Sequence, residues 1–248
     1  MLKEIVQPLI SWYRQNKRIL PWRDQKNAYY TWVSEIMLQQ TRVEAVKPYY
    51  ERFLKALPDV AALAACPEDQ LMKLWEGLGY YNRVRNMQKA AVTVTEEYGG
   101  VLPADYGKLL ELKGIGSYTA GAIASIAYGI PVPAVDGNVL RILTRVAADD
   151  TDIMKQSFRS AVEAQLGEMM RELTVPEELR RALRDENVPG ALNQAMMELG
   201  ATVCVPNGQA RCEECPLKNL CRGHRDGIEL EFPKKAAKKP RRVEERTV

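Results

Sequence analysis

Hydrophobic residues recur at helical spacing along most of the chain, from Glu4 to about Met197. This spacing places apolar side chains on one face of a helix, and no stretch alternates as a half-buried strand does. The pattern therefore predicts an all-α fold. The predicted helices are Glu4–Asn16, Thr31–Leu57, Pro67–Trp75, Tyr81–Tyr98, Asp105–Leu112, Ser117–Tyr128, Asn138–Val146, Asp152–Met170 and Ala191–Leu199.

The composition is that of an ordinary globular protein, with 248 residues of which 46% are hydrophobic and 27% charged. Charges interrupt every apolar run before the ~18 residues that a membrane span needs. The N-terminus carries Lys3 and Glu4 and does not resemble an export signal. We therefore expect an intracellular protein with no membrane partner.

The net charge of +3 is unevenly distributed. The segment Lys234–Val248 holds seven basic and two acidic residues, a net +5, so the rest of the chain stands at −2. Lys, Arg, Pro and Ala dominate this segment, and we expect it to be a linker or tail. A nucleic-acid partner would have to be held by local patches and backbone donors, because the body has little overall attraction for it.

Four of the five cysteines lie close together, at Cys204, Cys212, Cys215 and Cys221, with the spacing C-x7-C-x2-C-x5-C. In a chain without an export signal such a cluster indicates a metal centre more than disulfides. The spacing alone allows an iron-sulfur cluster, a tetrahedral zinc or four unligated thiols. Cys66 stands apart and is expected to be a small buried hydrophobe.

A glycine hairpin joins two predicted helices at Gly114 and Gly116. Glycines allow backbone N–H groups to approach an anion, and the following helix directs its positive end there, which suits a DNA phosphate. A plain connection between two helices is an equally good interpretation of this short motif.

Two acidic residues stand in contrasting contexts. Glu35 is flanked by apolar residues on a predicted helix, so its carboxyl is either desolvated with a raised pKa or simply exposed. Asp136 precedes a predicted helix, where the usual role of an aspartate is to cap the N-terminus.

Taken together, these motifs resemble the helix-hairpin-helix DNA glycosylases, and most closely the MutY-type adenine DNA glycosylases. The resemblance runs from about Trp12 to Cys221. Its most specific parts are Pro21-Trp22-Arg23, Ser34-Glu35 through Gln39-Gln40-Thr41, Gly77-Leu78-Gly79-Tyr80-Tyr81, Asp136-Gly137-Asn138-Val139 and Asn193-Gln194 through Leu199-Gly200.

The resemblance implies a two-lobed architecture: a six-helix lobe at residues 28–133, a cluster lobe at 1–27 and 134–226, and a basic linker or tail at 227–248. It implies a 4Fe-4S cluster rather than zinc on the four cysteines. It also implies double-stranded DNA as partner, with adenine mispaired with 8-oxoguanine or guanine as the base excised after flipping. We expect a monomer in a bacterial cytoplasm, associated with the nucleoid through DNA.

The resemblance also implies roles for two carboxyl groups. Glu35 matches the acid that protonates adenine at N7, and Asp136 matches the carboxylate that stabilises the oxocarbenium-like sugar. At its ordinary pKa a glutamate is ionised at pH 7, a penalty of roughly 3.7 kcal/mol that burial would largely remove. Tyr118 occupies the position of the Schiff-base lysine of endonuclease III-like relatives, which implies a monofunctional enzyme, with Tyr118 and Asn138 holding Asp136 and the sugar.

Further site residues are carried over in the same way. Arg23 and Gln194 match positions that contact the flipped adenine, and Gln40 and Tyr80 match the wedge at the opposite base. Gly114 and Gly116 would bind DNA phosphate.

The chain departs from the family pattern in two places. The first cysteine gap has seven residues where six are expected. The NUDIX-like domain that normally follows is missing, so we expect either a fragment or a naturally short member, with weak discrimination between 8-oxoguanine and guanine. A glycosylase acting on mismatched thymine or damaged pyrimidine is the second hypothesis, and a noncatalytic metal-stabilised DNA-binding module is the third.

Overall fold

The computed structural model describes residues 2–23, 27–183 and 186–236, and within these ranges the regular structure is helical, with no strand. The prediction of an all-α fold is therefore confirmed. Three short 3₁₀ helices cover Pro21–Arg23, Cys212–Glu214 and Glu229–Glu231. The α-helices are α1 (Leu2–Asn16), α2 (Ala28–Leu38), α3 (Val43–Ala56), α4 (Val60–Ala65), α5 (Glu68–Trp75), α6 (Asn82–Tyr98), α7 (Tyr106–Glu111), α8 (Ser117–Tyr128), α9 (Gly137–Ala147), α10 (Gln156–Arg171), α11 (Glu177–Ala182), α12 (Val188–Thr202) and α13 (Arg222–Arg225).

The buried apolar side chains form two clusters. The first core is built by buried residues between Leu20 and Ala124, which come from the first 3₁₀ helix and from α2 to α8. The second core is built by Ile5–Tyr13 of α1 and by buried residues between Val135 and Leu217. The predicted lobe boundaries stay a prediction, and Leu20 and Trp22 pack in the first core although they precede residue 28.

Helix α8 joins the two cores, because it packs against both α2 and α12. A Cβ at Gly121 would lie 2.2 Å from the carbonyl oxygen of Pro133, so only glycine allows this approach. From α12, the buried Asn193 amide donates to Ser125 Oγ and to the carbonyl of Val132 and accepts from the backbone N–H of Ala134. The junction between the cores is therefore both tight and polar.

The predicted helix Thr31–Leu57 is wrong in one respect, because the chain forms two helices there, α2 and α3. The break follows Leu38, and Gln40 has a left-handed backbone with φ of 60°. The sequence pattern also missed α4 and α11, which are six residues each and too short for a clear period.

None of the helices in the described ranges has both the length and the apolar character needed to cross a membrane. Residues 237–248, which hold most of the predicted basic tail, lie outside the described part of the chain.

Candidate active site

A cavity of about 210 Å³ opens between the two cores. This is several times the space of one water molecule and suits a planar base. Its walls come from the first 3₁₀ helix, α2, α8, the start of α9, and α12. The lining residues are Arg18, Leu20, Trp22, Arg23, Thr31, Ser34, Glu35, Leu38, Thr41, Val43, Tyr118, Ile126, Asp136, Asn138, Gln194, Met197, Glu198 and Ala201.

Glu35 lies on the buried face of α2, and only 6% of its surface is exposed. Burial raises the pKa of its carboxyl from the ordinary value of 4.5 to about 7, and the charge of Asp136 acts in the same direction. A hydrogen bond from Tyr118 and the charge of Arg23 act the other way. Glu35 is therefore a carboxyl group that carries a proton near neutral pH, on the wall of a cavity.

Tyr118 projects from the first turn of α8 into the same cavity. Burial raises its pKa well above 10, and the charges of Glu35 and Asp136 add to this shift. The phenol is therefore neutral across the physiological range and acts as a hydrogen-bond donor to Glu35.

Asp136 is the N-cap of α9 and also lines the cavity, so the same carboxyl group both caps the helix and faces the cavity. Its Oδ1 accepts from the backbone N–H groups of Asn138 and Val139 at 2.8 and 2.9 Å. Its Oδ2 accepts from Asn138 Nδ2 at 2.6 Å. The N-terminal end of α9 adds a partial positive charge beside this carboxylate.

Behind Asp136, a buried arginine ties the cap to α12. Arg141 donates to Asn138 Oδ1, to the carbonyl of Gly200 and, through Nε, to the carbonyl of Cys204, each at 2.9 Å. The orientation of Asn138, and through it of Asp136, is thus fixed from the side of the cysteine cluster.

Arg23, of the first 3₁₀ helix, and Gln194, of α12, also line the cavity. The Arg23 guanidinium donates to Glu198 Oε2 at 2.7 Å and to the carbonyl of Arg18 at 3.0 Å. Arg18 donates to the same carboxylate through Nε and Nη2. Although burial of Glu198 opposes ionisation, these two arginines hold its pKa below the ordinary range.

Gln40 and Tyr80 do not line the cavity and instead lie on two exposed turns. Both have left-handed backbones, with φ of 60° and 48°, and Tyr80 is 66% exposed. The hairpin glycines lie at a third turn, between α7 and α8, where Gly114 has φ of 81° and Gly116 caps α8.

The four clustered cysteines line one small apolar cavity beside α9. Arg145, which is buried in α9, donates from Nη1 to Cys204 Sγ at 3.3 Å. Burial is the main cause that raises the pKa of Cys212 to about 11 and of Cys215 to about 12, and the neighbouring thiolates add to it. As thiolates these four groups would be desolvated and would repel one another. A bound metal cation would offset both costs, so these residues fit a metal centre.

Comparison with known proteins decides the family. The model of the HhH-GPD superfamily of base excision DNA repair proteins matches residues 33–168, more than half of the chain. The chain belongs to the HhH-GPD superfamily. The matched range begins two residues before Glu35 and includes the hairpin and Asp136.

Several relatives of this HhH-GPD chain are named adenine DNA glycosylase. The rat protein is 44% identical over 225 residues and the human protein 43% identical over 232 residues. These alignments cover 87% and 90% of this chain but only 41% and 40% of the relatives. A relative from Buchnera aphidicola subsp. Baizongia pistaciae is 35% identical, and the alignment covers 88% of this chain and 58% of the relative.

Solved structures share the fold of this HhH-GPD protein. A thermostable thymine-DNA glycosylase superposes with a TM-score of 0.74 at 24% identity, covering 90% of this chain and 96% of the other. A non-covalent endonuclease III-DNA complex superposes with a TM-score of 0.69 at 23% identity, covering 92% and 98%.

The sequence analysis assigned no role to three residues that line this HhH-GPD cavity: Arg18, Met197 and Glu198. Arg18 and Glu198 pair across 180 positions of sequence, which no local spacing reveals. Met197 Sδ lies 3.8 Å from the Tyr118 hydroxyl oxygen. The available signal for Glu198 was its position between two apolar residues of a predicted helix, which indicates a charged side chain on a buried face. Glu198 is indeed fully buried.

Proposed function

We propose that this chain is a monofunctional adenine DNA glycosylase, which hydrolyses the N-glycosidic bond of adenine mispaired with 8-oxoguanine or guanine in double-stranded DNA. The observation that carries the proposal is one cavity lined by a buried, protonatable Glu35 and by the carboxylate of Asp136. The names of the relatives support adenine as the base.

In this mechanism Glu35 protonates the flipped adenine at N7 and so improves the leaving group. With a pKa of about 7, near the working pH, the carboxyl is protonated in a substantial fraction of molecules and is still acidic enough to give up the proton. The Tyr118 hydroxyl, a neutral donor beside Glu35, orients the carboxyl.

Asp136 stabilises the positive charge that develops on the deoxyribose as the bond to adenine breaks. The three hydrogen bonds that it accepts fix the carboxylate in one orientation before reaction. Water then completes the hydrolysis, and no lysine is among the described residues that line the cavity and could form a Schiff base. The product is therefore an abasic site in an uncut strand.

Arg23 and Gln194 read the edge of adenine in the cavity, where Glu198 and the Arg18 carbonyl hold the Arg23 guanidinium in place. Gln40 and Tyr80 enter the duplex at the opposite base, and the hairpin at Gly114 and Gly116 holds phosphate. The enzyme acts as a monomer on nucleoid DNA in the cytoplasm.

Cys204, Cys212, Cys215 and Cys221 hold a 4Fe-4S cluster, with zinc as the alternative. Such a centre would supply folding free energy to a loop that has few buried residues of its own. The loop then anchors the carbonyl of Cys204, which accepts from Arg141.

The decisive experiment measures base release under single-turnover conditions from four duplexes that carry A opposite 8-oxoguanine, A opposite G, T opposite G, and A opposite T. We expect adenine release from the first two, with an uncut strand until alkali is added. The Glu35→Gln variant should lose this release while keeping its affinity for the duplex.

Release of thymine instead would show the pyrimidine-specific alternative, and duplex binding without any release would show a noncatalytic module. Comparison of 8-oxoguanine with guanine as the opposite base tests the expected weak discrimination. A strong preference in this chain alone would contradict that part of the proposal.

A further inference from the structure

Two exposed turns carry backbone strain. Gln40, after α2, and Tyr80, before α6, are two of the three non-glycine residues with positive φ in the described ranges. A non-glycine residue in this region costs free energy and persists only where the surroundings enforce it. Contacts from the surrounding residues must therefore hold each turn.

One side chain reaches both turns. Arg83, in the first turn of α6, donates from Nη1 to the carbonyl of Gln39, and to that of Ile36 at 2.9 Å. Its Nη2 donates to the carbonyls of Leu78 and Gly79 at 3.0 and 3.2 Å. The same planar group thus donates hydrogen bonds to both of the carbonyls that immediately precede Gln40 and Tyr80.

The surroundings of Arg83 reinforce this arrangement. Its guanidinium lies 5.6 Å from the Trp75 ring and 5.4 Å from the Tyr80 ring, between two aromatic side chains. Trp75 Nε1 in turn donates to the carbonyl of Gly79. The guanidinium carries its five N–H donors on three nitrogens in a fixed plane, so that Nη1 serves one turn and Nη2 the other, whereas a lysine ammonium has all three of its donors on one nitrogen.

We infer that Arg83 is a positioning residue that fixes Gln40 and Tyr80 on adjacent turns, so that both side chains enter the duplex together when adenine is flipped. The inference rests on the proposed function, in which these two residues form the wedge. It assigns to a partly buried arginine, outside the residues that line the cavity, a part in base flipping rather than in bond cleavage.

The test compares Arg83→Gln with Arg83→Lys and with a matched control, Arg85→Gln. Arg85 lies in the same helix, is half-exposed and pairs with Glu68 on the surface. Flipping is measured in the Glu35→Gln background by the fluorescence of 2-aminopurine placed at the adenine position. We expect Arg83→Gln to reduce the flipped fraction and the single-turnover excision rate by about 10-fold or more, and Arg83→Lys to restore little.

A double-mutant cycle separates positioning from a general loss of stability. If Arg83 acts through the wedge, Arg83→Gln should slow excision by less than twofold in a chain that already carries Gln40→Ala and Tyr80→Ala. Additive losses, or normal flipping in Arg83→Gln, would overturn the inference.

Hydrogen exchange provides a readout that needs no catalysis. The Arg83→Gln variant should exchange faster at residues 36–41 and 77–80, with unchanged protection in α12. If the wild-type chain released no adenine, the proposed function would fall. The positioning role of Arg83 would then be tested by hydrogen exchange alone, and unchanged exchange in both turns would refute it.

Discussion

At the scale of single residues, the cavity places two carboxyl groups in different surroundings. Glu35 is enclosed by apolar neighbours of α2, whereas Asp136 faces three donors at the end of a helix. Two such environments suit a proton donor and a fixed negative charge, respectively.

The raised pKa of Glu35 predicts the pH dependence of excision. If protonated Glu35 is the reactive form, the single-turnover rate should be highest below about pH 7 and fall about tenfold per unit above it. Rates measured between pH 6 and 9 at saturating enzyme would check this. A rate that stays level across that interval would contradict the assignment of Glu35 as the acid.

The same shift predicts an effect on stability that needs no substrate. Between pH 4.5 and 7 the folded chain holds a proton that the unfolded chain releases, so the free energy of unfolding falls as pH rises. Above pH 7 the accumulated loss is on the order of 3 kcal/mol. Relative to wild type, Glu35→Gln should therefore gain stability in urea between pH 5 and pH 8.

The matched control for this prediction is Glu97→Gln, at an exposed position of α6. Its stability difference from wild type should change little between the two pH values. An equal pH response in both variants would show that Glu35 is not the source.

Asp136→Asn separates the cap from the charge, because asparagine caps helices as well as aspartate does. We expect the melting temperature to change by only a few degrees and the single-turnover rate to fall at least ~100-fold. Asp59→Asn, at the N-cap of α4, keeps full excision as the control. Substantial activity in Asp136→Asn would leave this residue with the capping role alone.

At the scale of elements, the site depends on how closely α9 and α12 approach. A Cβ added at Gly200 would lie 2.6 Å from Cβ of Asn138, which holds the Asp136 carboxylate. The local pattern predicted both helices, but a contact between residues so distant in sequence was not visible in it.

Gly200→Ala should therefore destabilise the fold by about 1–3 kcal/mol, through overpacking, and should also slow excision. The control is Gly137→Ala in the first turn of α9, where an added Cβ meets no atom within 4 Å. Urea unfolding of both variants measures the difference. Equal midpoints would show that α12 moves aside at no cost.

The sequence predicted elements better than their junctions. The hairpin, the helix that carries Glu35 and the cap at Asp136 all follow from local residues. The break at residues 39–42 did not, because its carbonyl contact with Arg83 comes from another helix, 44 positions away in the sequence. The ion pairs of Arg18 and Arg23 with Glu198 likewise arise only when the chain folds back across 175 or more positions.

At the scale of the whole molecule, the cysteine loop is tied to the second core. Leu217 is fully buried there, and Cys204, Cys215 and Cys221 pack against the same cluster. Loss of a bound metal would therefore be transmitted to α9 and α12 through this packing.

We predict that Cys212→Ser loses the metal and lowers the melting temperature, whereas Cys66→Ser, in the first core, keeps the metal. The purified wild-type chain should be brown, with ~4 iron atoms per molecule by elemental analysis. A colourless, folded chain with about one zinc atom would contradict the iron-sulfur assignment.

The polypeptide passes between the two cores at residues 13–20 and again at 124–135. One passage precedes the helix that bears Glu35, and the other ends at Asp136. The distance between the two acidic groups is thus set by how one half of the protein packs against the other. A slight rotation about these passages would change the distance between the two carboxyl groups, and so slow the reaction, while both cores stayed intact. Asn193, whose amide holds this junction through Ser125, Val132 and Ala134, is not among the residues that line the cavity.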